Sequence, residues 1–516
     1  MRLLTRSLLA AATLFLVACG TNPVTGEREV QLISTSQEIQ MGEQAYLPSR
    51  QMQGGDYVVY PELTEYVRSV NDKLAAVSDR DLPYEIYILN SSVPNAWAMP
   101  GGKMAINRGL LLELGSEAEL AAVLGHEIVH AAAGHGARGQ ERGLLLQTGV
   151  IATDILTAGI GGPIAGGAMA GATLINTKYG REAELESDEY GMEYMFRAGY
   201  NPEAAVDLQK TFVRLSEGQE SSWLEGLFAS HPPSQERVKR NQETASRLGG
   251  SELEYGRERY QRAIAGLKKD KPAYDALDEA LKAVKDEDYA RAEQLTDKAL
   301  RIQPKEPKFH GMKGDLALQA ERYRAADGYY QQAIRLYPGY FGFHLHQGYA
   351  RFQLEDWDGA TESLERSNEI LPNALSQKVL GDLALQRGDR DTAIDYYETA
   401  SKSKSEVGVA AFAALTRLEL PDKPNKYIRT TVVRSDGGVA IAVDNLSPLP
   451  VKGVVVIAAY VDAQGNAVSE VQRFKVKGVL EPQTRTIVST RFEDSSGLRA
   501  QVEKAKVAES TQETAQ

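Results

Sequence analysis

Cysteine is almost missing from this chain, which has one, Cys19, among 516 residues. No internal disulfide is possible, so stability has to come from core burial and from any metal the fold holds. Basic charge is not in excess either. Against 58 Lys and Arg stand 70 Asp and Glu, a net charge of -12, which excludes a protein that must neutralise nucleic-acid phosphates. An apolar run of the ~20 residues needed to span a bilayer as a helix is also lacking. Leu8 to Val17 is too short, and residues 144–177, charged only at Asp154, are broken by Gly161-Gly162 and Gly166-Gly167. The second stretch reads as a glycine-rich pair of buried or lid-forming helices rather than the alternative, a membrane-dipping hairpin, because each half of ~15 residues falls short of a span. What remains, 42% apolar and 25% charged, is an ordinary folded chain of two to four domains at ~100–200 residues each.

Arg2 and Arg6 precede the first apolar stretch, and Leu16-Val17-Ala18-Cys19 closes it. This is the three-part layout of a secretory signal. A small residue before the lone cysteine resembles a bacterial lipobox. The resemblance implies that residues 1–18 are removed and that Cys19 becomes a lipid-modified N-terminus, held firmly by several acyl chains. Gly20, rather than Asp, resembles the outer-membrane sorting outcome. The expected location is the bacterial periplasm, with the chain anchored in the inner leaflet of the outer membrane.

Residues 36–78 read as two amphipathic helices, with Ser34, Thr35 or Ser36 as N-cap of the first and Pro61 opening the second. The stretch 84–89 alternates like a strand. Residues 95–102 then lead through a turn into a second strand of Lys103, Met104, Ala105, Ile106 and Asn107, which as an edge strand would take an extended substrate by main-chain pairing. Ser116-Glu117-Ala118-Glu119 makes a capping box for a helix through the 120s. These pieces predict a small α+β core.

From about residue 273 to 406 the chain repeats itself. Ala292, Ala326 and Ala360 recur at one period, as do Pro304, Pro338 and Pro372, with Ala280, Gly314 and Gly348 and the aromatics Tyr289, Tyr323 and Trp357 in phase. The period resembles a tetratricopeptide array of about four repeats, the fourth (Gly381, Ala393) one residue short, whose helix pairs stack into a superhelix. Beyond Pro424, valine-rich runs separated by Asp436-Gly437-Gly438 and Gln464-Gly465-Asn466 read as a small antiparallel β-sandwich. The predicted partition is a signal peptide at 1–18, an α+β domain at 19–268, repeats at 269–420, the β-sandwich at 425–495 and a disordered tail at 496–516.

The chemistry centres on His126-Glu127-Ile128-Val129-His130. Two imidazoles four residues apart on a helix share one face and can share one ion, for which neutral imidazole is a good zinc donor. Past His130 the chain has His135 where a metzincin needs His at 136, so the third ligand must come from elsewhere. In Glu184-Leu185-Glu186-Ser187-Asp188 the first and last acids face the same way on a predicted helix. Glu184 is the candidate third ligand, and Asp188 can accept the second ring N–H of a ligating histidine. Three ligands leave one position for a water, with Glu127 as the base that takes its proton and returns it to the leaving amine. His231, the other histidine of this domain apart from His135, is placed to stabilise the tetrahedral oxygen. His135 reads as a helix-end residue near the negative end of the dipole.

The H-E-x-x-H, the later E-x-x-x-D, and His231-Pro232-Pro233-Ser234-Gln235-Glu236-Arg237 together resemble the HtpX-like and BepA-like zinc endopeptidases, over about residues 20–245. Asn22-Pro23-Val24-Thr25-Gly26 and residues 95–102 add to the match, and the repeats match the BepA-like branch. The resemblance implies a zincin-like domain with one Zn2+ per chain, and a His231 that occupies the fourth zinc position and keeps the enzyme latent. Two features depart from the BepA-like pattern, which has disulfides and no lipid anchor: the single lipobox cysteine and the β-domain.

The sequence thus predicts a multidomain, lipid-anchored periplasmic zinc metalloendopeptidase. Its expected partners are misfolded or misassembled envelope proteins, and through the repeats the outer-membrane assembly machinery. The competing expectation is an assembly chaperone or adaptor whose zinc site stays mostly shut.

Overall fold

The computed structural model describes residues 19–138, 179–218, 231–435 and 438–508. The expected signal peptide and the glycine-rich stretch 144–177 lie outside them. The chain divides into two compact units, Met1–Ala350 and Arg351–Gln516.

The first unit opens with an antiparallel hairpin of β1 (Cys19–Thr21) and β2 (Arg28–Val30). Ser34 caps α1 (Thr35–Met52) in a full capping box with Gln37. Pro61 opens α2 (Pro61–Ala75), where its missing N–H costs nothing. A mixed sheet follows, made of β3 (Glu85–Leu89), β4 (Ala96–Met99) and β5 (Lys103–Asn107) in the order β3-β5-β4.

The expected edge strand is corrected here. Lys103, Met104, Ala105, Ile106 and Asn107 form the central strand, with Ile106 paired to Ile88 of parallel β3 on one side and to Ala96 of antiparallel β4 on the other. The four residues of β4 escaped the sequence reading because Asn95 and Pro100-Gly101-Gly102 bracket them with turn formers. The free edge belongs to β4, whose far side pairs with no strand among the described residues.

After α3 (Arg108–Glu113), Ser116 accepts the Glu119 N–H and starts α4 (Glu117–Ala132). The box is not reciprocal, because the Glu119 carboxylate takes the Gly115 N–H. Buried along nearly its whole length, α4 is the core of this unit. Arg80 ties down its far end, pairing with Glu38 of α1 while donating to the Ala132 carbonyl. Among the described residues the next helix, α5 (Arg181–Arg197), crosses α4 where glycine faces glycine. A Cβ on Gly125 would lie 2.9 Å from the Gly191 carbonyl oxygen, and one on Gly191 2.9 Å from the His126 nitrogen. Only bare backbone permits this approach. Helices α6 (Glu203–Gly218) and α7 (Gln235–Leu248) pack beside the pair.

Helices α8 (Arg257–Ala263) and α9 (Ala265–Lys285) lead into the repeat pairs α10 (Tyr289–Ile302), α11 (Pro307–Gln319), α12 (Tyr323–Leu336) and α13 (Phe341–Gln353). The in-phase residues do matching work. Ala292, Ala326 and Ala360 are fully buried, and the turns end on Glu287, Glu321 and Glu355 with positive φ, followed by Gly388 in the shortened fourth repeat. Within this unit the first repeats join the peptidase-like core through a polar network. Asn90, just past β3, donates to Glu306 at 2.9 Å, Tyr274 donates to the same carboxylate at 2.7 Å, and the Arg108 guanidinium lies 3.5 Å over the Tyr274 ring.

The second unit continues with α14 (Trp357–Ile370), α15 (Ala374–Gln386), α16 (Arg390–Ala400) and α17 (Glu406–Glu419). Two antiparallel sheets follow. One runs β11 (Arg485–Ser489), β7 (Gly438–Asn445), β6 (Ile428–Ser435); in the other, β8 (Val451–Tyr460) pairs with β9 (Gln472–Lys475), β10 (Val479–Leu480) and β12 (Leu498–Val507). Ile441 and Val443 share one core with Val454, Val456 and Val502. The tail expected to be disordered from 496 is corrected by β12. Its charged residues hide a strand that still buries Leu498, Val502 and Ala505.

Candidate metal centre

Helix α4 presents His126 and His130 one turn apart, the glycine crossing sets Glu184 of α5 opposite them, and the segment before α7 adds His231. One ligand atom from each of these four buried residues lies within 4.8 Å of the others. His126 Nε2 stands 3.0 Å from His130 Nε2 and 3.3 Å from His231 Nδ1. The Glu184 carboxylate lies 3.5, 3.4 and 3.1 Å from His126, His130 and His231. A tetrahedral zinc with bonds of ~2.0–2.1 Å sets its ligands ~3.3–3.4 Å apart. These edges and this donor chemistry fit that ion.

The rings are held from behind. His126 Nδ1 donates to Asp188 Oδ1 at 2.9 Å, which leaves the Nε2 lone pair facing the cluster. Arg237 grips Asp188 with two bonds of 2.7 Å and reaches Glu184 Oε2 at 2.9 Å with its third nitrogen. His130 is backed in a way the sequence did not suggest. Gly134, at φ +69, turns the chain after α4 and returns His135, whose Nδ1 lies 2.8 Å from His130 Nδ1. His135 Nε2 in turn faces Glu186 Oε1 at 3.3 Å, and Asn22 donates to the same oxygen at 3.3 Å. The Tyr179 ring stacks on His130 with centroids 3.9 Å apart.

Burial alone would penalise the His126 cation, but Asp188 and Glu184 outweigh it and raise the ring to about 9. His130 goes the other way, because burial dominates and keeps it well below its ordinary value. Burial would raise Glu184, yet the neighbouring histidines hold it well below the usual carboxylate range. Glu127 is raised, since its burial is only partly offset by His231 and His126. Its Oε2 is buried with no hydrogen-bond partner among the described residues, while Oε1 lies 3.6 Å from His231 Nε2. An acceptor kept free beside a metal-binding cluster suits a proton acceptor.

The sequence alone assigns no role to Arg237, Glu186 or Tyr179 and makes His135 a helix end. For Arg237 the signal was present in the His231 to Arg237 motif. For His135 it was the glycine just before it, which turns a helix end back on itself.

Residues 61–245 match peptidase family M48, and residues 311–374 match the tetratricopeptide repeat. The chain carries an M48 peptidase domain. The cluster and Glu127 fall inside the M48 match. Among its relatives is the beta-barrel assembly-enhancing protease of Escherichia coli (strain K12), 30% identical over 253 residues, 46% of this chain and 50% of that protein. The mitochondrial metalloendopeptidase OMA1 of Schizosaccharomyces pombe is 30% identical over 43% of this chain and 65% of its own length. The metalloprotease YcaL of Escherichia coli is 32% identical over 30% of this chain and 59% of its own. The chain thus spans about half the length of the first of these relatives. Among the described residues no helix is long and apolar enough to cross a membrane.

Proposed function

We propose that this chain is a zinc metalloendopeptidase of the bacterial periplasm, anchored through a lipid on Cys19, that cleaves misfolded or misassembled outer-membrane proteins. The observation that carries this is the four-donor cluster beside the free oxygen of Glu127. In this reading His126, His130 and Glu184 hold one zinc, which would activate a water and polarise the scissile carbonyl. Glu127 takes the proton and delivers it to the leaving amine. An extended substrate pairs with the free edge of β4. Residues 19–268 carry the chemistry, the repeats of 269–420 hold substrate or partner, and the β-domain of 425–495 is a further docking part. The envelope substrate is inferred from the name of the Escherichia coli relative.

A second reading, an assembly chaperone with a mostly closed site, is favoured by one feature. His231 stands in the fourth donor position, and with all four donors engaged no place is left for water until His231 moves. To separate the two, the full chain is incubated with an unfolded outer-membrane β-barrel polypeptide, with and without chelator. Chelator-sensitive fragmentation supports the peptidase; suppressed aggregation without fragments supports the chaperone.

A further inference from the structure

Beside the cluster lies a pocket walled by residues of β4 and of α3 to α7. Most of its wall is apolar: Ala96, Leu110, Val123, Met192, Leu208 and Phe212. Helix α6 contributes a stripe, Ala205, Leu208, Gln209 and Phe212, whose spacing puts all four on one face. Gln209 is the one polar member. It is 5% exposed, and its Oε1 has no hydrogen-bond partner among the described residues.

A buried amide oxygen without a donor is costlier than a made hydrogen bond is favourable. Leu or Met would fill the same space at no such cost. The same pocket is lined by Glu127, whose Oε2 is also unpartnered among the described residues, and the chemistry accounts for that one. Nothing in the chemistry uses Gln209.

We propose that Gln209 is a specificity-determining residue that reads a hydroxyl at the tip of a large substrate side chain, selecting tyrosine over phenylalanine next to the cleaved bond. The apolar wall takes the ring, and the amide meets the phenol. The unpartnered Oε1 accepts, so the phenol O–H donates to it. Phenylalanine fills the wall equally well but leaves the buried amide unmet, and sites built to hydrogen-bond a hydroxyl reject analogues that lack it. The inference rests on the peptidase reading above.

The test maps cleavage of an unfolded protein by the full chain, then compares matched peptides carrying Tyr or Phe beside a mapped bond. Wild type is expected to favour Tyr by about tenfold or more in kcat/KM, equivalent to one lost hydrogen bond of ~1.4 kcal/mol. Gln209→Met should bring the Tyr to Phe ratio to about one, and Gln209→Leu checks that the effect is polarity rather than shape. Zinc content and melting temperature of both variants show that the site is intact. A Tyr to Phe ratio near one in wild type, or one unchanged in both variants, overturns the role of Gln209. If wild type yields no fragments beyond those of Glu127→Gln, the peptidase reading itself falls and takes the inference with it.

Discussion

His135 Nδ1 stands 2.8 Å from His130 Nδ1, and behind it Glu186 faces the other ring nitrogen at 3.3 Å. The pair fixes the His130 tautomer as Asp188 fixes that of His126. Outer partners of this kind are worth ~10–100-fold in metal affinity. His135→Phe and Glu186→Ala should each weaken zinc by that much in a chelator competition. Undiminished affinity in both would show that His135 only ends the helix.

Asp188 is gripped by a buried guanidinium, so its loss does two things at once. Asp188→Ala frees the His126 ring and leaves the buried Arg237 with only its Glu184 contact. Removing one partner of a buried pair costs ~3–5 kcal/mol, to be read from denaturant unfolding of the zinc-free protein. Arg237→Lys should recover only part of the stability, because an ammonium cannot reproduce the paired 2.7 Å contacts.

His231 blocks or assists, and one variant tells which. With its Nδ1 among the donors, His231→Ala should digest unfolded protein faster than wild type, itself included, and admit small chelating inhibitors more readily. A fall of ~10²–10³-fold in rate would instead assign it to oxyanion stabilisation. Equal rates would remove both roles.

Lys308 of α11 donates to the Asn90 carbonyl where the repeats meet the sheet. Burial lowers its pKa to about 8, against the pull of Glu306 and Asp278 and with Arg108 adding to the shift. The unfolded chain holds that proton up to ~10.4. Between these values the unfolded state binds more protons, so stability gains with rising pH. Wild type should therefore gain in melting temperature relative to Lys308→Met as pH rises from 8 towards 10. A constant difference would mean that the ammonium is well solvated.

The sequence carried the helix bearing His126 and His130 in its spacing and its serine cap, and carried Glu184 and Asp188 in a four-residue interval. The repeats were legible because burial of Ala292, Ala326 and Ala360 leaves a period. Long-range pairing left no such mark. Nothing local says that β3 lies parallel to β5, so Lys103 to Asn107 read as an edge, and the four residues of β4 are too few to show alternation. Strand β12 was hidden because its solvent-facing charges dominate its composition, and Arg237 because its partners lie on another helix.

The most direct test of the account takes Glu127→Gln in the full chain and measures zinc content and digestion of an unfolded protein together. The prediction is one zinc per chain, as in wild type, with turnover reduced by ~10²–10⁴-fold and wild-type turnover abolished by chelator. Digestion by Glu127→Gln at the wild-type rate, or wild-type digestion indifferent to chelator, would contradict it.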